Sequence, residues 1–234
     1  MRRALLAAAL LASLAAAGHA QRSPAKSTVE CVPGASYLSA DTLKKTGFEL
    51  PVFKCYCYSD KAGSHVLLLG EKQDLSFAEE KLSSAIQAAL YKVGADGASL
   101  TPEWSIRDFA GKYEAGLNFR TKLIELADID GDGLVDPVLV YRFFERDGAG
   151  RIVDDDYSGR IKIVTFHQGR KATIQAITGE LDGDRKTTAN TGYFALPKPV
   201  QQHLVKKMAA MYDAHHFGFD NSYGFVPRKE AARR

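Results

Sequence analysis

The densest chemistry in this chain lies in nine consecutive residues, Asp128-Ile129-Asp130-Gly131-Asp132-Gly133-Leu134-Val135-Asp136. Calcium is a hard cation that takes six to eight oxygen ligands, and alternating carboxylates on a tightly curled loop can supply them. Asp stands at loop positions 1, 3, 5 and 9, and Gly133 at position 6 permits the sharp turn. Leu134, at position 7, would ligate through its backbone carbonyl. The expected metal set is therefore Asp128, Asp130, Asp132, Leu134 and Asp136. Position 12 is Leu139 rather than Glu, so the bidentate ligand of an EF-hand is missing. The flanks also read as strands. A close pair of like charges costs about 1 kcal/mol in water and more near a protein surface. Four carboxylates this crowded are relieved by a divalent cation, as a closed structural site. The competing reading is an acidic turn without metal.

No other stretch has comparable spacing. Asp154-Asp155-Asp156 lacks alternation and reads as a solvated loop. Asp182 and Asp184 could add to a second cation site, but a plain turn explains them as well. His215-His216 has no third ligand at metal spacing, and His215 is expected to pack on a helix stripe. The chain holds no G-x-S-x-G, no H-E-x-x-H, no phosphate-binding Gly loop and no C-x-x-C, so an enzymatic activity is left open.

The elements that must hold the loop are mostly strands. Val52–Tyr58 alternates, 60–63 turns, and Val66–Leu69 returns. Ser99–Asp108 contains the only tryptophan, Trp104. Leu123–Leu126 leads into the acidic loop and Val138–Phe144 leads out. Ile161, Ile163 and Thr165 share a face, Gln168-Gly169-Arg170 turns the chain, and Ala172, Ile174 and Ala176 line the return. This pattern predicts a mainly β, α+β fold, an antiparallel meander of about eight short strands in hairpins. Residues 75–93 are ambiguous. Leu75, Leu82, Ile86 and Leu90 approach helical spacing, and Ser76 with Glu79 forms a capping box. A short helical turn near 76–82 followed by a strand is expected. The spacing of Val200, Leu204, Met208, Met211 and His215, with Pro199 in the first turn, predicts an amphipathic helix over about 199–215 covering the sheet.

The ends and the composition bound the setting. Arg2 and Arg3, the Ala/Leu run from Ala4 to Ala17, and the small residues before Gln21 read as a signal peptide over 1–20. The run is short for a membrane span, and no later segment is apolar enough for one. Residues 21–46 read as a polar arm, 47–226 as one domain, and 227–234 as a basic tail. Cleavage takes away two arginines and no acid, leaving 29 basic residues against 28 acidic. That near-neutral balance argues against nucleic acid as the main partner. Export favours disulfides. Cys55 and Cys57 are two apart in an extended run, near the upper limit for a bridge, so Cys31 is expected to pair with one of them.

The acidic loop between strands resembles the calcium loops of FG-GAP and VCBS-type β repeats. Taken with later segments, the chain resembles a bacterial family of surface polysaccharide biosynthesis proteins over roughly residues 47–225. The likeness is carried by Leu126–Pro137 followed by Val138–Tyr141, by Gly159–Ile163, by Tyr193–Pro197, by Lys207-Met208 and by Trp104–Asp108. It implies a place at the cell envelope, with surface polysaccharide or envelope proteins as partners, and it carries over no catalytic residue. The corresponding expectation is an exported calcium-binding accessory module, with Tyr56, Tyr58 and Trp104 available to a glycan if exposed. The rival is an envelope enzyme acting on polysaccharide, with Asp155 or Glu180 as acid and base.

Overall fold

The computed structural model describes residues 26–31, 38–77, 80–153, 155, 157–220 and 224–231. The expected signal peptide lies outside them. In chain order the first half holds β1 (Lys26–Glu30), α1 (Ala40–Thr46), β2 (Val52–Asp60), β3 (Gly63–Glu71), β4 (Leu75–Phe77), β5 (Glu80–Leu82), β6 (Ala85–Val93) and β7 (Leu100–Phe109). Strands β1, β2, β3, β6 and β7 lie in that order in one antiparallel sheet. The arm is thus more structured than its polar composition suggests. Ser39 accepts a hydrogen bond from the Thr42 amide to cap α1, whose chain exits through Gly47 at φ 76°.

The expected helical turn near 76–82 is not formed. Strands β4 and β5 pair instead as a small antiparallel hairpin, Leu75 opposite Leu82. Leu75 and Leu82 pack with Ala115 and Phe144, and this tertiary contact outweighs the local helical spacing. The strand expected after it is β6, paired with β7 as the turn at 94–97 implies.

The second half holds β8 (Glu114–Phe119), β9 (Glu125–Ala127), β10 (Asp136–Arg146), β11 (Ile152–Val153), β12 (Arg160–His167), β13 (Arg170–Ile177), β14 (Lys186–Ala189), α2 (Thr191–Phe194), α3 (Lys198–Asp213) and β15 (Arg228–Lys229). β10, β12, β13 and β14 lie side by side. The other edge of β10 carries β9 at its start and β8 towards its end. Arg228 and Lys229, read as tail, stay exposed while their backbone pairs in parallel with β14. Eight of the strands are six residues or longer, so the mainly β fold with a C-terminal helix on a sheet is present. The meander is divided between two stacked sheets.

Side-chain alternation along β10 explains the stacking. Leu139, Tyr141 and Phe143 pack with Leu67, Leu69, Ile86 and Leu90 of the first sheet. Val138 and Val140 point the other way, into a cluster with Val200, Leu204, Met208 and Met211 of α3. Both faces of β10 are therefore buried, which is why 137–144 is apolar on both faces apart from the buried Arg142. Each fully buried Leu or Met on α3 contributes about 1.5–3 kcal/mol. The outer face of the first sheet packs Val66, Leu68 and Tyr91 against Phe48, Cys31 and Cys55. His215 does not join the helix stripe. The helix ends at Asp213, His215 adopts φ 54° and is exposed, and Phe217 and Phe219 fill the position instead. Among the described residues no helix is long and apolar enough to cross a membrane.

Cys31 and Cys57 form a disulfide with Cα atoms 5.2 Å apart. It ties the residue after β1 to the middle of β2. Cys55 is buried on the same side.

Candidate metal centre and adjoining cavity

The acidic loop runs from the end of β9 to the start of β10, two strands that pair with each other, Asp136 opposite Ala127. Its ends are thus fixed by the sheet, and the loop between curls on itself. Asp128 accepts from the amides of Gly131 (2.8 Å) and Gly133 (2.9 Å). Asp132 accepts from the Leu134 amide at 2.8 Å, and Asp136 from the Ile129 amide at 3.1 Å. Gly131 and Gly133 sit at φ 83° and 89°, a left-handed backbone that a side chain would strain.

Asp128, Asp130 and Asp136 each place a carboxylate oxygen within 4.8 Å of the other two. Asp130 belongs to a second group with Asp132 and His167. The loop thus brings three of its four carboxylates together, while Asp132 joins Asp130 and His167 and accepts from Gln168 Nε2 at 2.9 Å. Leu134, expected through its carbonyl, donates its amide to Asp132 and lines a neighbouring cavity. Among the described residues no Lys or Arg forms an ion pair with these carboxylates; Lys61 acts on Asp132 only through its charge, and His167 Nδ1 lies 2.9 Å from Asp136 Oδ1.

Burial raises the Asp136 carboxyl above its ordinary value, although the His167 hydrogen bond and the Ile129 amide pull it down. Burial also acts upward on Asp132, but the hydrogen bonds from Gln168 and Leu134 outweigh it and leave that carboxyl low. His167 and Gln168 were not foreseen as neighbours of the loop. They end β12 and begin a two-residue turn in which Gln168 and Gly169 both have positive φ. The turn is legible in the sequence; its position over the loop is not.

Asp60 is the other unforeseen contributor. It closes the β2–β3 turn by accepting from the Ala62 amide at 2.8 Å, and it accepts from the Val135 amide at 3.1 Å. One carboxylate thus pins the acidic loop to the first sheet, helped by the Lys61 amide donating to Gly133 O at 2.9 Å. Beyond Asp60 opens a cavity of about 370 Å³ walled by both sheets, with Tyr58, His65, Glu103, Trp104 and Phe166 on its lining. Tyr58 is buried, and Tyr56 and Trp104 are half-buried. Burial first, and then the carboxylates of Asp60, Glu103 and Asp136, push the Tyr58 phenol far above its usual range. Asp155 and Glu180, each considered for an acid/base role, are both exposed on loops.

Glu125, on β9 just before the loop, anchors this edge to α3. His203 Nε2 and Lys207 Nζ each lie 2.6 Å from its carboxylate. Burial opposes ionisation, but these two partners outweigh it and hold the carboxyl down to about 2, against an ordinary 4.5. A folded value below the unfolded one means the ionised carboxylate stabilises the fold. That stabilisation is complete above pH 4.5 and is lost as the pH falls towards 2. The melting-temperature difference between wild type and Glu125→Gln should therefore be full at neutral pH and shrink across that acid window. A difference that stays constant through it would show that Glu125 acts through packing instead.

No protein-family model matches this chain, and neither a curated protein nor a solved structure does.

Proposed function

We propose that this chain is an exported accessory or binding module of the bacterial cell envelope whose acidic loop binds one calcium ion, and that it serves surface polysaccharide or its biosynthesis. The observation that carries the metal reading is the convergence of the Asp128, Asp130 and Asp136 carboxylates without a Lys or Arg ion pair among the described residues. Three carboxylates within reach of a single point repel one another, and an oxygen-seeking divalent cation offsets that repulsion. His167 shares a hydrogen bond with Asp136 through Nδ1, a contact that can orient a ligating carboxylate, while its Nε2 lies 3.9 Å from Asp130 Oδ2. Export is supported by the pattern of residues 1–20 and by the Cys31–Cys57 disulfide, which belongs in an oxidising compartment. The envelope role rests on the likeness to surface polysaccharide biosynthesis proteins.

Calorimetric titration with calcium tests the metal reading. One site is expected, and Asp130→Ala, which belongs to both carboxylate groups, should remove it. At about a hundred times the dissociation constant, calcium should stabilise the wild-type fold by about 2.7 kcal/mol. No binding up to about 10 mM calcium, or tighter binding of zinc through His167, would sink the proposal.

A second reading, an enzyme acting on polysaccharide, is favoured by one feature: Asp60 and Glu103 flank His65 in a cavity. Glycosidases work with two carboxylates across the scissile bond. Incubation with surface glycans separates the two, since released sugar supports the enzyme and retention without turnover supports the module.

A further inference from the structure

The cavity beside the loop has a chemistry of its own. His65, on β3, is only 3% exposed, and its Nδ1 has no hydrogen-bond partner. Asp60 Oδ1 lies 3.6 Å from that nitrogen, and Glu103 Oε1 lies 3.4 Å from Nε2. A neutral imidazole carries a proton on one nitrogen and a lone pair on the other. In either tautomer, one ring nitrogen therefore turns a lone pair towards a carboxylate, and what the cluster lacks is a donor. A doubly protonated ring would still leave two carboxylates against one positive charge. Among the described residues neither Asp60 nor Glu103 pairs with a Lys or Arg.

The two carboxylates differ in access. The Asp60 side chain is 7% exposed and its oxygens already accept from the Ala62 and Val135 amides. Glu103 is 32% exposed, so a molecule entering the cavity meets its carboxylate. Beside it, Trp104 stacks on Phe166 with centroids 3.7 Å apart and planes at 6°, giving the cavity a flat aromatic wall. Buried negative charge disfavours an anion, and a neutral ligand leaves that charge uncompensated. A cation carried on a ring with a C–H face meets both demands, its charge at the carboxylates and its C–H face on the aromatic wall. A bare metal ion fits less well. The two carboxylates address opposite nitrogens of the imidazole, and the metal-compatible groups among the described residues are formed by the acidic loop and His167.

We propose that this cavity binds a small organic cation of single-ring size, with its ammonium group at Glu103 and its ring against Trp104, as a hexosamine would present them. The proposal deepens the binding-module reading and rests on it. It is separable from the calcium question, because Asp60, His65 and Glu103 are not among the loop's metal set, and Asp60 touches the loop only at the Val135 amide.

Trp104 is the sole tryptophan, so its fluorescence reports the cavity directly. The experiment titrates the whole protein with D-glucosamine, and in parallel with N-acetyl-D-glucosamine, at a slightly acidic pH where the free amine is protonated. Each titration is run once in calcium and once in chelator. A saturable change in Trp104 emission with glucosamine is expected, weakened by about tenfold or more for the neutral N-acetyl sugar and for Glu103→Gln. Glu103 is partly exposed, so that variant should fold, and its melting temperature verifies this. No saturable change up to about 50 mM glucosamine, or an equal response to the N-acetyl sugar, overturns the proposal. Displacement of glucosamine by calcium ions in both wild type and Asp130→Ala also overturns it, since the cluster would then be a metal site. Loss of calcium binding in calorimetry with glucosamine binding intact would fail the loop reading alone.

Discussion

Phe143→Ala should destabilise the fold by about 3–5 kcal/mol and lower its melting temperature by about 6–20 °C. Phe143 is fully buried at the middle of the interface between the two sheets. On β10 it stands opposite Leu117 on one side and Arg160 on the other. The Arg160 guanidinium lies over its ring, with Tyr141 tilted against it at 5.7 Å. Alanine would leave a cavity on a rigid strand, because β10 is paired along both edges and packed on both faces and cannot collapse into the space. Arg160 would lose its ring contact but keep Glu114, whose Oε1 is 2.5 Å from its Nε. Ile177, an exposed residue on β13, supplies the control, and its alanine variant should change stability by no more than about 0.5 kcal/mol. Equal, small losses at both positions in denaturant melts would mean that the two sheets are not packed as described.

Removing the disulfide should have the next largest effect. Cys31→Ser opens a cross-link spanning 26 residues, for which chain entropy gives a loss of about 3.5 kcal/mol and a fall in melting temperature of about 7–14 °C. Cys31 is the informative position. Cys57→Ser would leave Cys31 beside Cys55, which lies in the same cluster and could take over the bridge. With Cys31 gone, the remaining pair stands two apart on one strand, near the limit of bridging distance. The bridge holds β1 and the chain after it against β2, the strand that carries Tyr58 and Asp60 towards the cavity. A reductant should reproduce the loss in the wild type and do little to the variant. A wild type whose melting is indifferent to reductant would indicate that the bridge adds nothing to the fold, and it would remove one support for export.

Much of the candidate metal centre was legible because it is local. Four carboxylates and two glycines within nine residues decide their own geometry: the Asp side chains bond to amides of the same loop, and the glycines take the left-handed turns. The strands flanking it and helix α3 follow equally from short-range periodicity, since alternation of two and spacing of three to four need only the residues themselves. The helical turn expected at 76–82 failed for the complementary reason. Seven residues carry too little helical preference to resist a hairpin that packs Leu75 and Leu82 against Phe144.

Periodicity states which residues share a face; it does not state what that face meets. The alternation of Val138 to Phe143 was readable, yet only the stacking of two sheets assigns one set to α3 and the other to Leu67 and Leu90. The same limit hid the cavity. His65 and Glu103 meet because β3 and β7 both pair with β6, and Asp60 reaches Val135 across 75 positions of sequence. Contacts of that span depend on strand order and register, which are settled by the burial of the whole chain at once. The acidic loop therefore belongs to the sequence, and the donor-poor cavity beside it belongs to the tertiary structure.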